Sequence, residues 1–213
     1  MAGFIFVWSF LLSAQSVTLF VDAQNFYHGA RSAFFRPADS HVCGQFKPVE
    51  LGHLICSRPP PGAARSLREV RVYTGRPESS KEPRTYGAHL RQCSVWEKAG
   101  VTLVTRTLRY PPDWPSVRAE EKGIDVALAI DFVAFAIDGA YDVGIIASTD
   151  TDLRPAIEYV LHKFHSGSPR AEVTSWSSAT SPRRLSIPGT NIWCHWLQRG
   201  DYDQVADPAD YNL

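Results

Sequence analysis

The chain has 213 residues, 44% of them hydrophobic, and its 22 basic side chains balance 22 acidic ones. This composition excludes disordered, fibrous and collagen-like proteins and is typical of one globular domain with a sizeable core. The charge is uneven, because residues 1–110 carry 14 Lys and Arg against 7 Asp and Glu, whereas residues 111–213 carry 8 against 15. A basic half beside an acidic half suits a metal site next to an anionic substrate, although unequal solvated faces produce the same imbalance.

The first fourteen residues, MAGFIFVWSFLLSA, are apolar and uncharged. They resemble the hydrophobic region of a signal peptide, but no basic residue precedes them, and they are short for a membrane span. We expect a dispensable N-terminal extension, with secretion or membrane anchoring through residues 1–14 as the alternative. The four cysteines are far apart and form no C-x-x-C pair, which disfavours a zinc site and predicts reduced thiols in a cytoplasmic protein.

Strands alternate with helices along the rest of the chain. The predicted strands cover residues 16–22, 69–74, 101–108, 143–147 and 172–176. The predicted helices cover residues 26–35, 48–56, 85–99, 124–138 and 153–165. This alternation predicts an α/β fold in which a mostly parallel sheet of about five strands lies between helices on both faces.

Three connecting segments also carry predictions. Asn25 is expected to cap the first helix, and the Pro/Gly/Arg-rich residues 58–68 are expected to form a loop. We assign residues 15–176 to the domain and residues 177–213 to a C-terminal segment that packs on it or trails it. Within that segment NIWCHWL is compatible with a short edge strand, and the tail from Gly200 is predicted to lie on the surface.

The stretch from Asp142 to Leu153, DVGIIASTDTDL, is the most informative part of the chain. Its apolar run, 143–147, is short and rich in β-branched residues, which is typical of a buried strand in a parallel sheet. Asp150 and Asp152 follow where that strand ends, at the carboxyl edge of the sheet, where open α/β sheets bind ligands. Two carboxylates this close repel each other unless a cation or a proton lies between them.

Two further acids are expected at the same edge. Asp22 ends the first strand, and Asp125 lies in the first turn of the longest helix, which starts at the carboxyl edge. Carboxylate oxygens are the ligands that Mg²⁺ and Mn²⁺ prefer. Such an ion polarises a phosphoryl oxygen and lowers the pKa of water, which is the chemistry of phosphodiester hydrolysis. Each acid also has a structural explanation, because Asp22, Asp125 and Asp152 are all placed to stabilise a helix N-terminus.

Other motifs narrow the class of protein. The chain has neither G-x-x-x-x-G-K-[ST] nor G-x-G-x-x-G, so binding of a nucleotide cofactor is unsupported. D-x-D after a strand is also found in haloacid-dehalogenase phosphatases, but their motif follows the first strand and continues to Thr or Val, where this chain has Arg154. Asp131 lies about 600° round the helix from Asp125, which makes a shared ligand role doubtful.

Three motifs together resemble the NYN family of PIN-like nucleases. They are D-x-x-N at Asp22 and Asn25, K-G-x-D at Lys122 and Asp125 with a second acid at Asp131, and S-x-D-x-D at Ser148, Asp150 and Asp152. The resemblance covers roughly residues 17–161 in the expected order. Thr149 departs from the pattern, since many members have Gly there, and the segment after Ser177 carries no family motif.

The resemblance implies a Rossmann-like α/β/α sandwich with a metal-dependent ribonuclease centre. Asp22, Asp125, Asp150 and Asp152 would then hold Mg²⁺ or Mn²⁺, and Asn25 and Ser148 would orient ligands, water or phosphate as neighbouring groups. Basic side chains would contact phosphates of the RNA. The candidates are Lys122, Arg76, Arg84 and Arg109.

A binding module is the main alternative. The same fold could serve as a catalytically inactive RNA-binding domain or a regulatory partner, because fold alone does not determine function. Trp114, Tyr110 and Phe26 are candidates for stacking on unpaired bases in either case, although each of them alone is better explained as a packing residue. The four acids favour catalysis, since RNA binding alone would be served better by fewer of them. A homodimer is compatible with the sequence, which contains no signal for oligomeric state.

Overall fold

The computed structural model describes residues 14–165, 167–180 and 182–213. The predicted N-terminal extension therefore lies outside the described residues, except for Ala14. The strands are β1 (Gln15–Asp22), β2 (Arg65–Arg76), β3 (Thr102–Thr107), β4 (Val143–Ala147), β5 (Arg170–Trp176) and β6 (Cys194–Leu197). The helices are α1 (Ala23–Phe34), α2 (Pro48–Cys56), α3 (Pro83–Lys98), α4 (Ile124–Ile137), α5 (Arg154–Lys163) and α6 (Arg199–Val205).

The strands form one sheet in the order β3-β2-β1-β4-β5-β6, and every neighbouring pair is parallel. This confirms the predicted α/β class, with β6 as the sixth strand at the edge. The chain starts in the middle of the sheet, builds outwards through β2 and β3, and then returns to place β4 on the other side of β1. The strand order therefore reverses between β1 and β4, which opens a crevice at the carboxyl ends of these two strands.

The sheet has a hydrophobic core on each face. Alternate residues of β1 point to opposite faces, so that Val17, Leu19 and Val21 belong to one core and Phe20 to the other. Helices α1, α2, α3 and α6 contribute buried residues to the first core, and α4 and α5 contribute to the second. The result is an α/β/α sandwich in which β1 and β4 are covered on both sides.

Two local predictions at the start of the domain are wrong. Helix α1 begins at Ala23, and its N-cap is Asp22, whose carboxylate accepts a hydrogen bond from the backbone N–H of Asn25. Asn25 therefore lies inside the helix and does not cap it. Strand β2 begins at Arg65, so the last part of the predicted 58–68 loop pairs with β1, and its register shifts between Leu67 and Glu69.

The predicted surface tail is also wrong. From Arg199 the chain forms α6, and Tyr202 and Val205 are buried in the first core. Beyond it, Asp207 and Tyr211 are buried and hydrogen-bonded to each other through the tyrosine hydroxyl (2.7 Å). The segment after residue 177 thus adds a strand and a helix to the sandwich. Among the described helices, none has both the length and the apolar character needed to cross a membrane.

Candidate active site

Asp22 and Ser148 lie side by side where β1 and β4 end. Val21 is paired with Ala147 in the sheet, so the next residue of each strand emerges at the carboxyl edge. Ser148 Oγ donates a hydrogen bond to Asp22 Oδ2 (3.0 Å), while Asp22 Oδ1 accepts the Asn25 N–H (3.1 Å). Both side chains are buried, so Asp22 has one fixed orientation at the crevice.

The loop after β4 is held by a short chain of hydrogen bonds. Asn25 Oδ1 accepts hydrogen bonds from the backbone N–H and the hydroxyl of Thr149, at 2.9 and 3.1 Å. Ser148 Oγ accepts the N–H of Asp150 (3.0 Å), and Asp150 Oδ1 accepts the N–H of Asp152 (2.9 Å). Asn25 and Ser148 therefore hold the loop that carries Asp150 and Asp152.

Asp125 reaches the same edge from α4. Gly123, at φ 76°, turns the chain into the helix in a left-handed conformation that favours glycine, and Asp125 lies in the first turn. Burial, followed by the negative charges of Asp150 and Asp152, raises the pKa of Asp125. Asp125 therefore lies close enough to the acids of the loop after β4 to feel their negative charges.

The pKa of Asp22 is strongly perturbed. Burial raises its pKa from 3.8 to about 7, although its hydrogen bonds from Asn25 and Ser148 act in the opposite direction. The nearby charges of Glu121 and Asp125 raise it further. A carboxyl group with a pKa near neutrality, in a crevice, next to other acids, is typical of a functional site.

Glu121 belongs to this cluster and was missed in the sequence. It accepts a hydrogen bond from the Gly75 N–H at the end of β2, and burial and the charge of Asp125 raise its pKa. It follows a Pro-rich loop without periodicity, which is why no pattern indicates it. The available signal was its position four residues before Asp125, where the chain must approach the carboxyl edge to begin α4.

Other predicted residues lie apart from the acids or on the outer surface. Asp131 is bound to Arg71 (2.9 Å) and to the Tyr73 hydroxyl (2.8 Å), which gives it a structural role. Phe26 is buried in the first core, so it is a packing residue and is not available to stack on bases. The four basic candidates, Lys122, Arg76, Arg84 and Arg109, are all exposed.

The donor set suits a hard divalent cation. Neighbouring negative charges raise the pKa values of Asp22, Glu121 and Asp125, and a bound cation would relieve this repulsion. Within the described part of the chain, no group of three or more His, Cys, Asp or Glu side chains is arranged so that it could hold a metal ion together. Mg²⁺ does not require such a group, because it commonly uses one or two protein carboxylates and keeps several waters. The residues therefore fit Mg²⁺ or Mn²⁺ bound in an open, partly hydrated manner.

Comparisons with known proteins place the chain in a family. No curated protein matches it. A crystal structure of a protein of unknown function from Vibrio parahaemolyticus is similar, with 15% identity, 76% of this chain and 81% of that chain covered, and a TM-score of 0.48. The family model of the NYN domain matches residues 16–166, which span β1 to the end of α5 and include all five acids. The chain belongs to the NYN domain family.

Proposed function

We propose that this protein is a metal-dependent ribonuclease that hydrolyses phosphodiester bonds of RNA at the carboxyl edge of its sheet. The observation that carries the proposal is the convergence of Asp22, Glu121, Asp125 and Asp150 from separate parts of the chain on the crevice where the strand order reverses. Membership of the NYN domain family implies a nuclease-like function and a nucleic acid substrate, without specifying the type of nucleic acid. Metal dependence and the choice of RNA are our own inference.

The acids would hold Mg²⁺ or Mn²⁺, with Asp22, Asp125, Asp150 and Asp152 as the principal donors and Glu121 beside them. When bound, such an ion would polarise a phosphoryl oxygen and favour ionisation of an attacking water. Ser148 fixes Asp22 through its hydroxyl and Asp150 through the backbone N–H that it accepts. Lys122, Arg76 and Arg109 are exposed around the loops at this edge, where they can bind phosphates of the RNA.

A cytoplasmic location belongs to the same proposal. Cys43, Cys56, Cys93 and Cys194 are all free thiols in the structure. Free thiols are typical of proteins in a reducing compartment.

The test is cleavage of end-labelled single-stranded RNA by the full chain in Mg²⁺, Mn²⁺ or EDTA. We expect cleavage with either metal, none in EDTA, and a loss of at least 100-fold in Asp150→Asn, since several kcal/mol of transition-state stabilisation depend on the cation. Asp138→Asn is the matched control, because Asp138 is exposed at the opposite end of α4 and should leave the rate unchanged.

The same experiment distinguishes a ribonuclease from the alternative, a catalytically inactive RNA-binding module. A binding module would leave the RNA intact with every metal, and Asp150→Asn would hold the RNA as tightly as the wild type or more tightly. Cleavage that is indifferent to EDTA would contradict the role given to the acids.

A further inference from the structure

A cavity of about 640 Å³ lies between residues of α1, α3 and the loops near the carboxyl ends of β2 and β3. We propose that this cavity receives one unpaired nucleobase of the RNA, stacked against Trp114, so that the enzyme selects single-stranded substrate. The inference deepens the proposed function and rests on it. The volume lies within the range of about 300–1,000 Å³ that is typical of ligand pockets.

Two residues of the cavity wall connect it to the acids. Ala23, in the wall, directly follows Asp22, and Gly75, also in the wall, donates its N–H to Glu121. A strand of RNA whose phosphate lies at the acids would therefore place a neighbouring base at the mouth of the cavity. This contiguity makes the cavity part of the substrate path.

The side chain of Trp114 lines the cavity and is carried by a loop whose two ends are hydrogen-bonded to each other. Trp114 lies between Arg109 and Glu120, whose backbones exchange two hydrogen bonds of 2.9 Å at the base of the loop. The Trp114 ring meets Tyr110 edge to face, with centroids 5.6 Å apart. Tyr110 is fixed in turn, since its hydroxyl donates to Glu82 (2.7 Å). Trp114 is thus preorganised, which lowers the entropic cost of stacking.

Another part of the cavity wall is also fixed by specific contacts. The Tyr27 hydroxyl donates to the backbone carbonyl of His41 (2.8 Å), and His41 Nε2 lies 3.1 Å from Asp210 and 2.8 Å from the Asn212 amide nitrogen. Arg91 donates two hydrogen bonds to the carbonyl oxygen of Tyr211. The C-terminal residues are therefore fixed in place as one side of the cavity.

Two polar atoms in the lining lack partners. Trp96 is 5% exposed, and its indole Nε1 is buried without a hydrogen bond, as is Gln45 Oε1. Both side chains line the cavity. Both atoms have essentially no accessible surface, so they are closed to a bound base, and the lining offers surface for stacking without a fixed pattern of donors and acceptors.

The chemistry favours a base over the other parts of RNA. Aromatic faces bind bases by stacking irrespective of their sequence, whereas a phosphate group would require several cationic side chains. In the cavity lining, Arg118 is the single Arg or Lys. A base in a duplex is paired and stacked within its helix and cannot enter a recess, so the cavity discriminates between single and double strands.

The experiment measures binding of the full-length protein to single-stranded RNA 12-mers in EDTA. EDTA removes divalent metals, so the proposed cleavage does not take place during the measurement. The wild type is compared with Trp114→Ala, Trp114→Phe and the control Trp196→Ala, which removes an exposed tryptophan of β6. A second series of 12-mers replaces one nucleotide at a time by an abasic one. Cleavage of the same RNA in Mn²⁺ is recorded separately.

We expect Trp114→Ala to weaken binding about 5- to 150-fold, the range for loss of one stacked base. Trp114→Phe should retain most of the affinity, and Trp196→Ala all of it. One abasic position should weaken binding to the wild type by a similar factor and have no further effect on Trp114→Ala. Equal binding by Trp114→Ala and the wild type, or no sensitive abasic position, would overturn the proposal even if RNA is cleaved in Mn²⁺. Intact RNA in Mn²⁺ would instead refute the nuclease, while the EDTA assay would still decide whether the cavity binds a base.

Discussion

Asp22 combines a structural role with the proposed chemical one. Its carboxylate caps α1 and accepts the Ser148 hydroxyl, yet the group is buried beside other acids and has a pKa of about 7. Without a cation the folded protein favours the protonated form of Asp22, whereas the unfolded chain ionises it near pH 4. Folding stability is therefore expected to fall as the pH rises from about 4 to 7.

This predicts that Asp22→Asn is more stable than the wild type in EDTA at pH 8. The gain is at most about 4 kcal/mol in the free energy of unfolding, because each unit of pKa shift corresponds to about 1.4 kcal/mol. The gain in stability of Asp22→Asn should be smallest near pH 4 and should reach its plateau above pH 7. Urea unfolding at pH 4.5, 6 and 8 measures it, and parallel pH profiles for the two proteins would contradict the assignment.

Glu121 provides a second test at the residue scale. Glu121→Gln keeps an oxygen that can accept the Gly75 N–H but removes one negative charge from the cluster. We expect cation binding and RNA cleavage to fall about 10- to 100-fold, as for other residues that support metal ligands. The neighbouring Glu120→Gln is the control, since Glu120 is exposed, and its rate should stay within about two-fold of the wild type. Equal rates for both variants would remove Glu121 from the site.

At the scale of the elements, β1 and β4 position the site because their carboxyl ends meet where the strand order reverses. Their buried runs and the acids that follow them are local features, which is why the sheet, both strands and four of the five acids were predictable from the sequence. Phe26 shows the limit of this reasoning. Its helical spacing does not reveal that it is enclosed by Phe46, at a centroid distance of 5.3 Å, and by Trp176, at 4.7 Å.

The remaining differences have long-range causes. The start of β2 was not predicted because its Pro-, Gly- and Arg-rich surroundings are typical of a loop. These residues form a strand because they pair with β1, with a shift in register between Leu67 and Glu69. Helix α6 is short and polar in sequence, and it is held by Tyr202, whose hydroxyl accepts the Gly44 N–H (2.8 Å) more than 150 residues away. Glu121 joins the acids only because the chain folds back to Gly75. Contacts of this kind leave no local pattern.

The burial of Phe26 predicts a large effect on stability. Phe26→Ala should lower the free energy of unfolding by about 3–5 kcal/mol, because it removes a buried ring and leaves a cavity. Trp114→Ala, at a partly exposed position on a loop, should change it by less than about 1 kcal/mol. Chemical denaturation of both variants checks this contrast, and similar losses would show that the Trp114 loop is part of the fold's core.

At the scale of the whole molecule, a buried ionic group joins strands from both halves of the sheet. Arg65 of β2 binds both carboxylate oxygens of Glu172 of β5, at 2.8 and 2.6 Å, and His195 of β6 lies 2.8 Å from the same carboxylate. Burial disfavours the ionised form of Glu172, but these partners outweigh it and lower its pKa. The cluster therefore links β2 to β5, two strands that do not pair directly.

Glu172→Gln should destabilise the protein by about 3–5 kcal/mol, since it leaves the buried Arg65 without its counter-charge. Because the pKa of Glu172 is lowered on folding, its contribution is present above its ordinary pKa and is lost as the pH falls into the acid range. The exposed Glu97→Gln is the control and should change the stability by no more than about 0.5 kcal/mol. Thermal unfolding at pH 7 and pH 4 compares them, and a loss in Glu172→Gln that is equally large at both pH values would contradict the linkage.

The central claim is that the acids at the carboxyl edge, and not acids in general, form the catalytic centre. Helix α4 carries one acid of the candidate site and one acid outside it. Asp125 lies near the other acids of the site, whereas Asp131 binds Arg71 and Tyr73. The most direct measurement is the single-turnover rate of RNA cleavage in Mn²⁺ for Asp125→Asn and Asp131→Asn, with folding of both confirmed by circular dichroism. We predict a loss of at least 100-fold for Asp125→Asn and less than about five-fold for Asp131→Asn. Equal losses in the two variants, or an unchanged rate in Asp125→Asn, would contradict this assignment of the site.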